Sequence, residues 1–394
     1  MISGDPVVIV GGARTAIGRF GGALASVEPI DLGAQALRGA MDRAGVAPSD
    51  MQRVVAGENI QISRRGNPAR QVLLRAGIPV TSDDYAINMN CASGLRAMAT
   101  LASDLLLGDV EIGAAVGMEN MSRTPYLLEG ARWGYRLGNA PVIDFLSDYI
   151  LGDAGPMAET VAERCGISRE RQDQWAYRSQ QRTTTAIGNG WFDDDIVTVD
   201  APGAKGQSVQ VRADEHPRPE TTLDKLASLK PAFREGGSVT AGNSSGINDA
   251  GAAVVLARQS TAERLGARAR AVVAGWSSAG VEPGVFGLGP IPATRRLLDR
   301  AGLATDDLDV IELNEAFASS TLAVIDELGL DEERVNVNGG AIGLGHPVGA
   351  TGIVLVLKLL GEMERRDLRR GLVTMCVGNG QGMSLLLERP WAGE

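Results

Sequence analysis

The stretch DRAGLATDDLDVI at residues 299–311 repeats the stretch DRAGVAPSDMQRV at residues 42–54. Asp, Arg, Ala, Gly, a second Ala and a later Asp recur at one constant offset. Each copy follows a helical pattern and leads into an apolar run, 53–56 in the first and 310–313 in the second. A DRAG match alone could be chance; the shared downstream pattern predicts a duplication. Further along, Asn88-Met89-Asn90 precedes small residues and a helical segment over 92–107. Asn336-Val337-Asn338 does the same before 350–363, and each copy returns to a strand, 112–117 and 372–377. Strands alternating with helices predict parallel sheets covered by helices. Two such halves side by side predict an α/β/α/β/α body with one helix layer shared at the centre.

Between the copies lies a different kind of segment. It carries Trp133, Trp175, Trp191 and His216, a helical stretch over 168–189 capped by Ser168, and Pro- and Gly-rich loops at 201–206 and 216–219. The organisation expected is a first half of 1–121 plus 248–268, an insertion of 122–247 and a second half of 269–394. The insertion would either join subunits or cover a ligand.

Bulk properties exclude several functions. At 394 residues the chain calls for two or three domains, and 44% hydrophobic with 22% charged residues is a soluble globular composition. A net charge of −10 attracts neither nucleic acid nor an anionic membrane. Three cysteines, Cys91, Cys165 and Cys376, form no disulfide framework, and with two histidines they offer no metal cluster. Residues 1–12 lack a secretory pattern, residues 391–394 match no targeting signal, and the apolar run 353–360 is broken by Lys358 and too short to span a membrane. A reduced cytoplasm is the expected compartment.

Scarcity of histidine narrows the search for an acid–base group. His216 stands between Glu215 and Pro217 and reads as loop. His346 lies in Gly343-Leu-Gly-His-Pro-Val-Gly349-Ala-Thr-Gly352, where glycines allow close backbone approach to a ligand; its bland alternative is a turn cap. Cys91, in Asn90-Cys-Ala-Ser-Gly94, falls at a strand-to-helix junction, where backbone N–H groups and the helix dipole favour a thiolate. The bland alternative, a buried small hydrophobe, is common for free cysteines, but the position at a helix start argues against it. Cys376 ends an apolar strand before a glycine-rich turn, and in open α/β sheets sites gather at strand carboxyl ends. Cys165 closes an amphipathic helix and reads as structural. Asn314 follows the strand 310–313; it could orient a water or carbonyl, or cap the next helix.

Taken together, these pieces resemble the thiolase family over nearly the whole chain. The resemblance includes Ala13-Arg-Thr15, Asn67-Pro-Ala-Arg-Gln71, Gly117-Met-Glu-Asn-Met-Ser122, Thr240-Ala-Gly-Asn-Ser-Ser-Gly-Ile-Asn-Asp249 and Gly289-Pro-Ile-Pro-Ala293. It continues through Asn314-Glu-Ala-Phe317, Asn338-Gly-Gly340, Gly345-His-Pro347 and Cys376-Val-Gly378. It implies the five-layered thiolase fold of two duplicated halves with an inserted CoA-binding loop domain. Cys91 would be the nucleophile, His346 would take its proton, and Cys376 would move the proton at the α-carbon of acetyl-CoA. Asn314 would hold a water that, with His346, stabilises the enolate. The N–H groups of Cys91 and Gly378 would form the oxyanion hole, where losing one donor costs about 3 kcal/mol of barrier; a side chain at Gly378 would disturb the N–H direction. Arg218 would lie against the adenine of CoA and Ser245 on the pantetheine, with Phe233 and Ala241 lining the channel. Arg218, Lys225, Lys230 and Arg234 would supply local positive charge. CoA and its thioesters would be substrates and products, with no tightly bound cofactor and no metal, and the chain would form a homodimer or homotetramer.

The sequence departs from the family's pattern at four positions. Ala154 stands where many members have methionine, Asp153 where several biosynthetic members have histidine, and Phe286 where those members often have methionine. These changes imply a reshaped acyl pocket and substrates beyond acetoacetyl-CoA. Asn379 replaces a common glycine and would either tighten the turn or face the substrate. Two alternatives are a decarboxylating ketoacyl synthase, which generally lacks the second cysteine, and a CoA- or lipid-binding homologue without catalysis.

Overall fold

Each half of the chain builds the same unit in the same order. The computed structural model describes residues 4–61, 66–203 and 207–389. The loop 201–206 is therefore described only through Gly203, and residues 391–394 lie outside the described residues. The first half runs β1 (Val7–Thr15), α1 (Pro29–Ala44), β2 (Arg53–Gly57), α2 (Pro68–Arg75), β3 (Asp83–Ile87), α3 (Ser93–Leu107) and β4 (Ile112–Asn120). The insertion follows, with α4 (Ala154–Cys165) and α5 (Arg169–Gly188), and β5 (Asn248–Arg258) then closes the first sheet. The second half runs β6 (Ala271–Gly280), α6 (Pro290–Ala301), β7 (Val310–Leu313), α7 (Ala318–Leu328), α8 (Val348–Arg365), β8 (Arg370–Val377) and β9 (Gln381–Glu388).

The hydrogen-bonded order is β7-β8-β9-β6-β1-β5-β4-β2-β3. It is two matching sheets joined through β1 and β6, which pair at Val8↔Val272 and Ile9↔Ala271. In the second half the place of β3 is taken by a single parallel bridge, Ile311↔Val335. The expected parallel sheets are only partly present. β2 pairs in parallel with β3 and β4, and β7 with β8, because helical crossovers connect them. β5 and β9 run antiparallel to their neighbours. The reason is local in the second half: the turn after Val377 reverses the chain at once, so β9 returns alongside β8. Strand β4 also outruns its expected end, continuing from Gly117 to Asn120.

Three apolar layers separate the sheets and helices. Leu37 and Met41 of α1 pack on Val8, Val54 and Val116 outside the first sheet. Leu298 of α6 and Leu322 of α7 pack on Ile311, Leu313 and Leu372 outside the second. Between the sheets lie α3 and α8, whose Leu95, Met98, Ile353 and Leu357 join residues from both halves. Helix α8 is buried on nearly every side, which its apolar run Ile353–Leu360 allows. Its buried cation, Lys358, is neutralised by Glu312 at 2.7 Å.

Candidate active site

The central helices meet at their amino ends, and glycines make the meeting possible. A Cβ on Gly94 of α3 would stand 2.6 Å from the carbonyl oxygen of Gly349 in α8. One on Gly352 would stand 2.6 Å from the backbone nitrogen of Leu95. No side chain fits either gap. Cys91 lies just before α3 and His346 just before α8, so packing two duplicated helices end to end brings these residues from distant parts of the chain to one place.

Cys91 keeps some exposed surface. Its turn is set by Asn90 in the left-handed region, φ 45°, which asparagine tolerates better than most residues. Asn90 Nδ2 donates to the carbonyl of Gly378 at 2.9 Å, locking the turn after β8 against the turn before α3. The backbone N–H groups of Gly378 and of Cys91 itself both act on the Cys91 sulfur. The helix start does not make a resting thiolate, contrary to expectation. Burial outweighs those N–H groups and pushes the thiol up to about 11. Cys376 is 2% exposed, and burial, together with the charge Cys91 would carry, drives its thiol well above the ordinary range.

His346 is held on three sides. Its N–H donates to Asn248 Oδ1 at 2.9 Å, its Nδ1 meets Thr351 Oγ1 at 2.7 Å, and its Nε2 faces Asn314 Nδ2 at 3.5 Å. Thr351 spends its one hydroxyl proton on the carbonyl of Pro347 at 3.0 Å. The hydroxyl must then accept from Nδ1–H, which assigns the proton to Nδ1 and leaves the Nε2 lone pair toward Asn314 Nδ2. Burial lowers the imidazole to about 4, so it is neutral at pH 7. With the thiol near 11 and the imidazole near 4, both groups rest neutral at pH 7. Asn314 does not cap the next helix: α7 begins at Ala318 behind Phe317, while Asn314 is buried with its Oδ1 unpartnered. Gly378 is not required by its backbone, since its φ lies outside the left-handed region and a Cβ would meet only Asn90, at 3.3 Å.

The comparisons agree with this architecture. Residues 7–260 match the profile of the thiolase N-terminal domain, and residues 267–389 that of the thiolase C-terminal domain. This chain belongs to the thiolase family. It is 45% identical to an acetyl-CoA acetyltransferase of Chromobacterium violaceum over 390 residues, 98% of this chain and 100% of the relative. The crystal structure of the Bacillus anthracis acetyl-CoA acetyltransferase superposes with a TM-score of 0.95 at 42% identity, over 98% of this chain and 100% of that one. Human mitochondrial 3-ketoacyl-CoA thiolase gives 0.94 at 34% identity, over 98% and 99%. The fold is the thiolase α/β fold, and the chain is an acyltransferase.

The wall of this thiolase's site comes from the insertion and the second half together. Ala154, Met157, Ala158, Phe286, Phe317 and Cys376 belong to one apolar cluster, which gathers two of the four departures, Ala154 and Phe286, with the second cysteine. Phe233 lies over Gly155 and meets Phe317 edge-on, with ring centroids 6.0 Å apart. Ser245 is tied to Ala316 by its N–H at 3.0 Å, while Arg218 and Ala241 are exposed. Of the expected cations, Arg234 is already committed to Glu163 at 2.7 Å. Lys225 Nζ bonds the carbonyl of Glu220 at 2.8 Å. Asn379 is exposed and takes the left-handed conformation of a turn residue, φ 68°. Cys165 is exposed rather than buried.

Sequence reasoning gave no role to several residues that shape this site. Thr351 and Asn248 orient His346. Glu315 is buried and accepts from Trp175, Ser179, Asn336 and the N–H of Ile342, clamping α5 to the second half. His216 is half-buried on Gly246, and burial lowers it to about 4. Thr351, Asn248 and Glu315 sat inside quoted motifs; what was missing was the fold that turns them inward. Among the described residues no group of side chains could hold a metal ion, and no helix is long and apolar enough to cross a membrane.

Proposed function

We propose that this thiolase passes an acyl group between β-ketoacyl-CoA, acetyl-CoA and free CoA through an acyl-enzyme on Cys91. In the cleavage direction Cys91 Sγ attacks the β-carbonyl carbon while His346 Nε2 takes its proton. The N–H groups of Cys91 and Gly378 hold the resulting oxyanion. The Cα–Cβ bond then breaks. Its electron pair becomes the enolate of acetyl-CoA, stabilised by His346 and a water on Asn314, and Cys376 supplies the proton at the α-carbon. Incoming CoA gives its thiol proton to Cys376 and attacks the acyl-cysteine; His346 returns its proton to Cys91 Sγ. Condensation uses the same groups in reverse.

The observation that supports this reading most is the pair of N–H groups on the Cys91 sulfur, together with a neutral histidine whose unprotonated Nε2 faces Asn314. Segment 122–247 is read as the CoA-binding loop domain between halves 1–121 plus 248–268 and 269–394. Within it Arg218 would lie on the adenine, Ser245 on the pantetheine, and Phe233 and Ala241 along the channel; CoA is substrate and product, not a resident cofactor. A place in cytoplasmic fatty acid metabolism fits that chemistry. A homodimer or homotetramer is supported by the exposed apolar residues Tyr126, Trp133 and Leu137. The test is intact-mass analysis after exposure to acetyl-CoA. An acetyl adduct on Cys91, absent from Cys91→Ser, is expected; an unmodified wild-type protein would refute the reading.

A further inference from the structure

Behind the reacting groups lie carboxyl groups that none of these steps uses. Glu119, near the end of β4, is 1% exposed. Its Oε1 accepts the N–H of Ile60 at 3.1 Å. Its Oε2 accepts the N–H of Asn59 at 3.0 Å and the N–H of Gly349 at 2.9 Å. Gly349 belongs to the first turn of α8, immediately after His346-Pro347-Val348. A Cβ there would fall 2.9 Å from Glu119 Oε2, so the carboxylate reaches the helix end only because the residue is glycine. Burial raises the Glu119 carboxyl to about 7, while the three N–H groups and the amino end of a long buried helix favour its charged form.

The other two donors lead to the nucleophile. The carbonyl of Asn59 accepts from Asn88 Nδ2 at 2.8 Å, and Asn88 Oδ1 accepts the N–H of Asn90 at 2.9 Å. Asn90 then donates to Gly378 at 2.9 Å. One bonded path thus runs from the first turn after His346, through the Glu119 carboxylate, to the Cys91 turn and on to the Gly378 turn. Glu58 lies beside this path, fully buried with neither carboxyl oxygen partnered. Burial, with the charge of Glu119, pushes Glu58 up to about 9. The charges facing Glu119 are acidic as well, Asp249 on β5 among them, and Glu119 in turn acts on Cys91. Among these acids Glu58 is the one with no donor to stabilise a charge.

We propose that Glu119 is a positioning residue that fixes the His346 helix against the Cys91 turn, with Glu58 beside it kept as an uncharged acid. The proposal rests on the roles assigned above to Cys91 and His346. It makes Asn88 and Asn90 parts of the same device, since they relay the position of Glu119 to the nucleophile.

The experiment is rapid-quench acylation of the intact enzyme by acetyl-CoA, in wild type, Glu119→Gln and Glu119→Asp. A glutamine keeps the shape, but its amide nitrogen cannot accept, so at least one of the three N–H groups loses its partner. The expected result is an acylation rate constant lowered roughly 10- to 100-fold, with half-saturation by acetyl-CoA changed less than about twofold. The aspartate, with both acceptors on a shorter stem, should recover part of the rate. Equal loss of rate and affinity, or wild-type acylation in the glutamine variant, would overturn the proposal. Should Glu119→Gln fail to fold, Glu119→Asp decides by the same split between rate and half-saturation. A wild-type enzyme that forms no adduct on Cys91 overturns the site assignment itself, and the positioning role with it. An adduct in wild type with undiminished acylation in both variants overturns the positioning role alone.

Discussion

Replacing Glu58 by glutamine should make this protein more stable, and increasingly so as pH rises. The side chain is fully buried, neither oxygen has a partner, and its carboxyl is raised from 4.5 to about 9. Between those two values the unfolded chain has released the proton that the folded chain keeps. Stability associated with this group is whole below pH 4.5 and falls as pH rises toward 9, by about 1.4 kcal/mol per pH unit. At pH 7.5 the accumulated loss is about 4 kcal/mol relative to acid. Glutamine carries no charge in either state and removes that loss, but its amide is still unpartnered, at about 1–3 kcal/mol. The net gain at pH 7.5 is therefore about 1–3 kcal/mol. The sharper observable is the slope. Unfolding midpoints of wild type and Glu58→Gln, measured at one protein concentration from pH 5 to 8.5, should diverge steadily with pH. Parallel curves would mean that Glu58 is ionised in the folded protein, and the account of the Glu58–Glu119 pair would be wrong.

Three other outcomes follow from the same geometry. His346 must be neutral to accept a proton and is lowered to about 4, so kcat/KM for acylation should fall only as pH drops through about 4; an acid limb near 6.5 would show an imidazole exposed to water. Ala154 is a small residue in the cluster that holds Phe286 and Cys376, so Ala154→Met should lower kcat/KM for six- and eight-carbon substrates roughly 10-fold or more relative to acetoacetyl-CoA. A wild-type optimum sharply at four carbons would refute that reading of the pocket. Arg218→Ala should raise KM for CoA severalfold, whereas Arg234→Ala should leave it nearly unchanged, because Arg234 is already paired with Glu163; equal effects of the two would place Arg234 on the ligand.

What the residues disclosed in advance, and what they hid, divides along a physical line. Duplication is written in the chain as a repeated DRAG segment, and it carried the layers, including the shared central layer that α3 and α8 form. Cys91, His346 and Cys376 were legible because thiols and imidazoles are scarce here and each sits at the end of a regular element. Direction of pairing was harder, since β5 and β9 are apolar like the strands that pair in parallel, and only the turn at Gly378–Gly380 reverses one of them. Charge state was hidden altogether. A helix start argues for a thiolate, and burial argues against it; which wins depends on how completely the surrounding layers exclude water, and no local pattern of residues encodes that. The same exclusion explains the acids. In the sequence Glu58 and Glu119 are ordinary carboxylates at the ends of two strands, β2 and β4, that pair in parallel. Parallel pairing puts both ends on the same edge of the sheet, and α8 then covers that edge. The pairing that gathers the reacting groups at strand ends therefore also gathers unreactive acids behind them. A buried acid in that position either acquires donors, as Glu119 has from Asn59, Ile60 and Gly349, or keeps its proton, as Glu58 does.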